Sequence, residues 1–199
     1  MKRLYMLLSL AACIESASCA MIETRSPNDL RFLATKAVLL EEQPEIGAPS
    51  GRPSRMMIRV DFTTSENLQK IAKEFEYNIG NDTSFCTNGQ YDDAMSFGWL
   101  HDVYDKFGQI EAYRERASSS DAGTAPAITY HLYFEVMSDG KHYVLLEKNK
   151  KPIAYDLRKQ PADVCFWIRG GNMVGDHFRS NTVVVPAAEL SKAITAAGA

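Results

Sequence analysis

The sequence of 199 residues lacks the short motifs that mark common catalytic and metal sites. No Cys-x-x-Cys, His-x-x-x-His or His-Glu-x-x-His spacing occurs, and neither a Gly-x-Ser-x-Gly turn nor a phosphate-binding loop is present. No apolar run after the first residues approaches the roughly 18 residues that a membrane-spanning helix needs. We therefore predict no catalytic residue set, no metal site and no cofactor, and we do not expect an enzyme.

The sequence also lacks an excess of basic residues. It has 22 Lys and Arg against 25 Asp and Glu, a net charge of −3, and removing Lys2 and Arg3 with a leader leaves 20 against 25, or −5. This mild acidic balance provides no electrostatic footprint for phosphates, so nucleic acid is not an expected partner. Hydrophobic content of 45 % and charged content of 24 % are ordinary for a globular protein.

The first 20 residues have the pattern of a secretory leader. Lys2 and Arg3 form a positive region, Leu4 to Ala12 form a short apolar region, and small residues follow. A buried amphipathic N-terminal helix is the alternative interpretation. The leader predicts export, which places the mature protein in an oxidising compartment.

Two cleavage sites compete in this leader. Residues 10–13, Leu-Ala-Ala-Cys, match a bacterial lipobox, which predicts a signal peptide of residues 1–12 and a lipid on Cys13. Residues 18–20, Ser-Cys-Ala, suit ordinary signal peptidase, which predicts a leader of residues 1–20. The lipobox is the more specific match, so we expect a periplasmic, outer-membrane lipoprotein. A soluble periplasmic or secreted protein is the alternative.

The cysteines bear on the same choice. A cut after Ala20 leaves only Cys86 and Cys165, whereas the lipobox cut leaves Cys19 unpaired in an oxidising compartment. Either cut retains Cys86 and Cys165, and we expect a disulfide between them. Closing a loop of about 80 residues would stabilise the fold by roughly 4 kcal/mol. Two separate buried thiols are the alternative.

The chain after the leader divides into an arm and one globular domain. We interpret residues 13–54 as a tether, with a short helix beginning at an Asn28 cap. Residues 41–55, EEQPEIGAPSGRPSR, carry three prolines, two glycines and two serines, a composition typical of a linker. The single globular domain is therefore expected to span residues 55–199.

Hydrophobic patterning in this domain predicts an α+β fold, mostly antiparallel β-sheet or a sandwich of hairpins, with two or three helices. The expected elements are a strand over 55–62, a helix from a Thr64 or Ser65 cap to Tyr77, a loop over 78–90, a second helical or mixed segment over 92–107, a hairpin around 170–176 and a last helix after Pro186.

An Asp-Gly turn at Ser138 to Lys141 predicts another hairpin, in which Ser138 pairs with Lys141. Its apolar face would carry Tyr130, Leu132, Phe134 and Val136, and its other face His131, Tyr133, Glu135 and His142. This register places His131 and His142 roughly 20 Å apart, too far for one metal ion.

The remaining histidines stand beside carboxylates in the sequence, as His101-Asp102 and Asp176-His177. An acid–base pair also needs a nucleophile or substrate positioned by other groups, and the sequence supplies no partner for either pair. An envelope hydrolase or carbohydrate-active enzyme using His177 with Asp176 is the alternative function.

The C-terminal third resembles a known family. The order YDLRKQPADVCFWIRGGNMVGDHFRSNTVVVP, together with the Leu-Ala-Ala-Cys leader, is similar to periplasmic immunity lipoproteins of type VI secretion systems. The matching residues are Cys165, Gly170, Gly171, Phe178, Arg179, Ser180, Asn181 and Pro186. The resemblance implies a small, lipid-anchored, β-rich protein that binds and blocks a secreted toxin. The long arm over 21–54 departs from that pattern.

Polar and glycine-rich loops are expected at 78–90, 117–127 and 170–177, and such loops could fill the concave cleft of a toxin. We expect the acidic loops to suit a cationic cleft, with charge attraction reaching about 8 Å at physiological salt. The expected partner-binding residues are Asp82, Asp121, Asn172, Asp176 and Arg179.

Overall fold

Antiparallel strands dominate the computed structural model, which describes residues 26–43, 46, 55–97, 100–113, 127–140 and 153–198. The strands are β1 Arg31–Leu39, β2 Met56–Thr64, β3 Asn78–Thr87, β4 Gln90–Phe97, β5 Tyr104–Asp105, β6 Gly108–Gln109, β7 Ile128–Glu135, β8 Met137–Asp139, β9 Ala154–Asp156, β10 Val164–Gly171, β11 His177–Arg179 and β12 Val183–Val185. The α-helices of these residues are α1 Leu68–Phe75 and α2 Ala187–Ala196. The predicted α+β class is confirmed.

The long strands form two sheets. Sheet 1 has the order β1-β2-β7-β5-β6, and sheet 2 has the order β11-β10-β3-β4, with β12 also paired to β10. The short strands β8 and β9 pair with each other. Every strand pair in these sheets is antiparallel, which is the arrangement that hairpins and short connections favour.

The core lies between the two sheets. Phe62 of β2 lies with its ring centroid 5.3 Å from that of Phe166 in β10, and Phe97 of β4 lies 5.7 Å from Phe134 of β7. Alternate residues of each strand point inward, so one face of each sheet is apolar and buried. The helices close the same core with Leu68, Ile71, Leu190 and Ile194.

Helix α1 begins one residue after Asn67, whose side chain accepts a hydrogen bond from the backbone N–H of Lys70. The predicted cap at Thr64 or Ser65 is wrong, because Thr64 is the last residue of β2 and its hydroxyl donates to Asp29. The apolar residues at helical spacing face the core, with Leu68, Ile71 and Ala72 buried and Phe75 partly buried.

Part of the expected tether belongs to sheet 1. The helix predicted from Asn28 is wrong, since residues 31–39 form β1 and pair with β2 from Arg31↔Thr63 to Leu39↔Met56. Just before β1, the backbone N–H and C=O of Leu30 both bond to the side chain of Asn181, at 3.0 Å each. The folded unit therefore begins before Arg55, whereas residues 1–25 lie outside the described part of the chain.

Two further expectations about sheet 2 are wrong. The predicted loop at 78–90 is mostly strand β3, and the segment at 92–107, predicted as helical or mixed, has no helix in its described residues, of which 92–97 belong to β4 and Tyr104–Asp105 form β5. The polar composition of β3 misled the prediction, because these polar side chains are buried and satisfied by the fold. Asn81 is an example, since its amide donates to the carbonyls of Leu100 and Asp102 at 3.3 and 2.9 Å.

The two predicted hairpins have different outcomes. Strands β10 and β11 pair with Gly171 opposite His177, and α2 follows Pro186, both as expected. In the other hairpin Ser138 pairs with Tyr155 of β9 and not with Lys141, and residues 141–152 lie outside the described part. The predicted apolar face of that strand is confirmed as buried: Tyr130, Leu132, Phe134 and Val136.

Candidate functional site

The side of sheet 2 that faces away from the core carries an unusual set of side chains. Phe166 and Ile168 of β10 point into the core, so the alternating residues Cys165, Trp167 and Arg169 lie on the opposite side. The strand pairing places further side chains beside them. We define the outer face of sheet 2 by the half-buried or exposed residues Asp82, Tyr91, Trp167, Arg169 and Arg179.

Arg179 of β11 stacks on aromatic rings of this face. Its guanidinium carbon lies 4.1 Å from the ring centroid of Trp167 and 5.5 Å from that of Tyr91. The Tyr91 and Trp167 rings meet edge to face at 5.7 Å and 73°. Burial raises the pKa of the Tyr91 hydroxyl. A cation held over an indole face in this way is stabilised by the ring quadrupole.

The charges on this face are unevenly paired. Arg169 lies directly opposite Arg179 in the β10–β11 ladder. Arg169 pairs with Asp82, with the Nε to Oδ2 distance 3.2 Å, and Asp82 Oδ1 also lies 3.9 Å from Nδ1 of His101. Within the described residues no carboxylate lies within ion-pair distance of Arg179.

One polar atom of the face has no hydrogen-bond partner among the described residues. The Nε1 atom of Trp167 is shielded from solvent and makes no hydrogen bond to the described residues. Buried N–H groups are nearly always satisfied in folded proteins, so this donor is an exception in the described part of the chain.

The predicted disulfide joins the two central strands of this face. Cys86 of β3 and Cys165 of β10 are bonded, with Cα atoms 5.1 Å apart, inside the usual range for a disulfide. Cys165 is completely buried. The bond therefore fixes the strand that carries Trp167 against the strand that carries Asp82.

The turn between β10 and β11 presents two apolar side chains to solvent. Met173 and Val174 have exposed fractions of 104 % and 84 %, the largest among the described apolar residues. Asn172 braces the turn, because its Oδ1 accepts from the N–H groups of Val174 and Asp176 at 3.2 and 3.0 Å. Its amide nitrogen also donates to the carbonyl of Phe75 at 3.1 Å, which ties the turn to α1. We call Met173 and Val174 the hairpin tip.

The predicted partner-binding residues separate into three groups. Asp82 and Arg179 lie on the outer face of sheet 2, and Asn172 and Asp176 lie in the adjoining turn. Asp121 lies outside the described residues, as does the predicted lipidation site Cys13.

Sequence reasoning missed Trp167, Tyr91 and the hairpin tip. A signal for Trp167 was present, since a residue two positions after a disulfide cysteine in a strand lies on the same face as that cysteine. No such signal existed for Tyr91, which lies between the loop expected at 78–90 and the helical or mixed segment expected at 92–107.

The histidine sites offer less chemistry. His177 is exposed, and its Nδ1 lies 3.2 Å from the carbonyl oxygen of Gly175, with no ion pair to Asp176 among the described residues. His101 Nδ1 lies 3.1 Å from the carbonyl oxygen of Asn81. His131 is buried in sheet 1 and stacks on Tyr104, with ring centroids 5.6 Å apart.

The described residues contain no group of three or more His, Cys, Asp or Glu side chains placed to hold a metal ion. They also contain no helix whose length and apolarity would allow it to span a membrane.

Comparison of the chain with protein-family models, with curated proteins and with solved structures gave no match. The outer face of sheet 2 carries two aromatic rings and an arginine that has no acidic partner among the described residues, and the apolar turn follows at the end of β10.

Proposed function

We propose that this chain is an exported, lipid-anchored binding protein of the periplasm that blocks a secreted antibacterial effector by direct contact. The outer face of sheet 2 and the hairpin tip are the contact surface in this proposal. The effector is of the kind that type VI secretion delivers, as the family resemblance of the C-terminal third implies.

The observation that carries the proposal is the stacking of Arg179 on Trp167. Trp, Tyr and Arg are the residue types most enriched among the few side chains that dominate the binding energy of protein interfaces. Here one of each lies within 6 Å of the others, and Trp167 is carried by one of the two disulfide-linked strands. A rigid arrangement loses little conformational entropy on binding, which favours affinity.

The hairpin tip extends the same surface. Trp167 and Gly171 are four residues apart on β10, so about 13 Å separates the aromatic cluster from the start of the turn. An interface of standard size, about 800 Å² per partner, spans such a distance easily. The exposed Met173 and Val174 are suited to an apolar pocket in the partner, and the bracing by Asn172 keeps them projecting.

The disulfide supports the compartment in the proposal. Structural disulfides persist in the periplasm and are rare in a reducing cytosol. The bond between Cys86 and Cys165 is therefore consistent with export through the predicted leader.

The test is a protection assay with a matched pair of variants. The chain is expressed in a sensitive host together with a periplasm-directed toxin encoded beside its gene, and survival is counted. Trp167→Ala should reduce survival by at least about tenfold, since loss of a central hot-spot side chain commonly costs 2 kcal/mol or more. Direct binding is measured by calorimetry on the same purified proteins.

The control is Phe107→Ala. Phe107 also carries a cation, Lys106, whose Nζ lies 4.8 Å from the ring centroid, but it lies on the β5–β6 turn of sheet 1. Protection should survive this change. Equal loss in both variants, or full protection by Trp167→Ala, would refute the proposed surface. Loss of protection in a folded His177→Ala variant, with Trp167→Ala active, would favour the envelope enzyme.

A further inference from the structure

We propose that Arg179, with Arg169 beside it, binds a carboxylate side chain of a protein partner. This inference rests on the proposed function, because it assigns the chemistry of the surface that the effector contacts. It predicts an effector that presents an Asp or Glu to the outer face of sheet 2.

The argument begins with two like charges placed opposite each other. Arg169 and Arg179 are direct cross-strand partners in the β10–β11 ladder, and both point to the outer face. Like charges at such positions are destabilising. Asp82 relieves only one of them, through its 3.2 Å contact with Arg169. The pair therefore has a net positive charge that an external anion would neutralise.

The geometry leaves Arg179 available to such an anion. Stacking uses the flat face of its guanidinium, at 4.1 Å from the Trp167 ring centroid, so the edge that carries the N–H donors is not used by the stack. The residue is exposed, and no described carboxylate or carbonyl accepts a hydrogen bond from its guanidinium. A planar guanidinium edge matches the two oxygens of a carboxylate, which it can bind through two parallel hydrogen bonds.

The stacking also orients the cation. A free arginine side chain loses much rotamer entropy on binding, whereas one already held over an indole loses less. The buried Nε1 of Trp167, which has no partner among the described residues, lies in the ring on which Arg179 rests. The site thus combines the oriented N–H donors of Arg179 with the apolar ring of Trp167 beneath them.

This inference reverses the role that the sequence predicted for Asp82. An acidic loop was expected to enter a cationic cleft, with Asp82 as a contact. In the structure the charge of Asp82 is already directed at Arg169 and lies near His101. Removing that charge should free Arg169 and strengthen carboxylate binding, whereas a direct contact of Asp82 with the partner would make the same change weaken binding.

The test uses two peptides as probes, a hexaglutamate and a hexalysine. The chain contains two tryptophans, so a Trp99→Phe background leaves Trp167 as the reporter, and its fluorescence is followed during titration at 20 and 150 mM salt. The variants are Arg179→Gln, Asp82→Asn and, as the matched control, Lys106→Gln, which removes a cation stacked on Phe107 on the other sheet.

Hexaglutamate should bind the starting protein with a Kd that rises with salt, and hexalysine should not bind. Arg179→Gln should raise the Kd about tenfold, since the loss of a charge-assisted pair is worth about 1.4 kcal/mol or more. Asp82→Asn should lower the Kd, and Lys106→Gln should leave it unchanged.

The proposal would be overturned by the absence of hexaglutamate binding, by an unchanged Kd in Arg179→Gln or by a raised Kd in Asp82→Asn. A lipid source of the anion is excluded by a parallel titration with phosphatidylglycerol vesicles, and tighter binding to vesicles than to the peptide would also overturn it. Failure of the proposed function would have a different result: the unaltered chain would not protect the host in the toxin assay, although it would still bind hexaglutamate.

Discussion

The outer faces of the two sheets contain similar side chains in different surroundings. On sheet 1, Tyr133 is 1 % exposed and meets the ring of Tyr104 edge to face at 5.5 Å. It belongs to a small second core that also contains Leu40, Met57 and Leu100. On sheet 2, Trp167 and Tyr91 are only half-buried, and no second core covers them in the described part of the chain.

The charged residues of the two sheets also differ in how they are paired. Two arginines at sheet 1 pair with nearby acids, since Arg59 of β2 lies 2.7 Å from Asp61 and Arg55, just before β2, pairs with Glu135 of β7. On sheet 2, Arg179 rests on an aromatic ring and has no described acid. A surface whose polar groups are paired internally has little to gain from a partner, whereas one with an unpaired cation and partly bared aromatic rings retains binding capacity.

The largest expected effect comes from removing the disulfide of sheet 2. This bond fixes two strands of sheet 2 covalently, whereas the outer face of sheet 1 is covered by the second core. The Cys86→Ser/Cys165→Ser double variant should lose about 4 kcal/mol of unfolding free energy, because the bond closes a loop across a sequence separation of 79 residues. Urea unfolding followed by circular dichroism measures it. Wild-type protein with reductant should match the double variant, and a loss below about 1 kcal/mol in both would contradict the role given to the bond.

The second prediction tests whether the two aromatic faces differ as described. Tyr133→Ala should cost about 3 kcal/mol of stability, because it leaves a cavity in the second core. Trp167→Ala should cost about 1 kcal/mol, since its ring is only half-buried, yet it should remove binding. Thermal and urea unfolding of both variants provide the comparison, and a larger stability loss in Trp167→Ala would mean that sheet 2 is covered like sheet 1.

The smallest expected effect compares the two faces of β10 itself. A Cβ added at Gly170 would lie 2.2 Å from a ring carbon of Phe178, so Gly170→Ala should displace that buried ring and cost about 2 kcal/mol. At Gly171 the nearest atom would be 3.6 Å away, an ordinary contact, and Gly171→Ala should cost little. Both are measured by urea unfolding, and equal losses would show that the outer face is packed as tightly as the inner one.

Much of the fold could be predicted from local patterns. Apolar positions at helical spacing identified the buried face of α1, and Pro186 followed by helix-forming residues identified α2. The turn between β10 and β11 was predictable because Gly170, Gly171 and Gly175 interrupt two β-branched or aromatic runs. The disulfide was predicted from the leader pattern and from the number of cysteines, and the structure contains it.

Strands β1 and β3 show where local patterns were insufficient. Helix and strand propensities differ by about 1 kcal/mol or less per residue, so the pairing of residues 31–39 with β2 overrides them. In β3 the polar residues Asn81, Thr83 and Ser84 resemble a loop in sequence, and only their burial between β4 and β10 makes them strand residues.

The candidate site divides in the same way. Arg179 and Asp82 could be named from the sequence as charged residues near turns. The sequence did not show that Asp82 pairs with Arg169 or that Arg179 has no acidic partner among the described residues. Which of them is neutralised depends on the register that sets Asp82 opposite Trp167 and Arg169 opposite Arg179.

The sequence by itself determined the elements whose information is local: two cysteines able to pair, a glycine-rich turn and a last helix. Tertiary structure alone decided which strands became neighbours, and therefore that Trp167, Tyr91 and Arg179 share one face. The reason is physical, since strand pairing and burial are long-range contacts whose free energies exceed the local preferences of the residues they join.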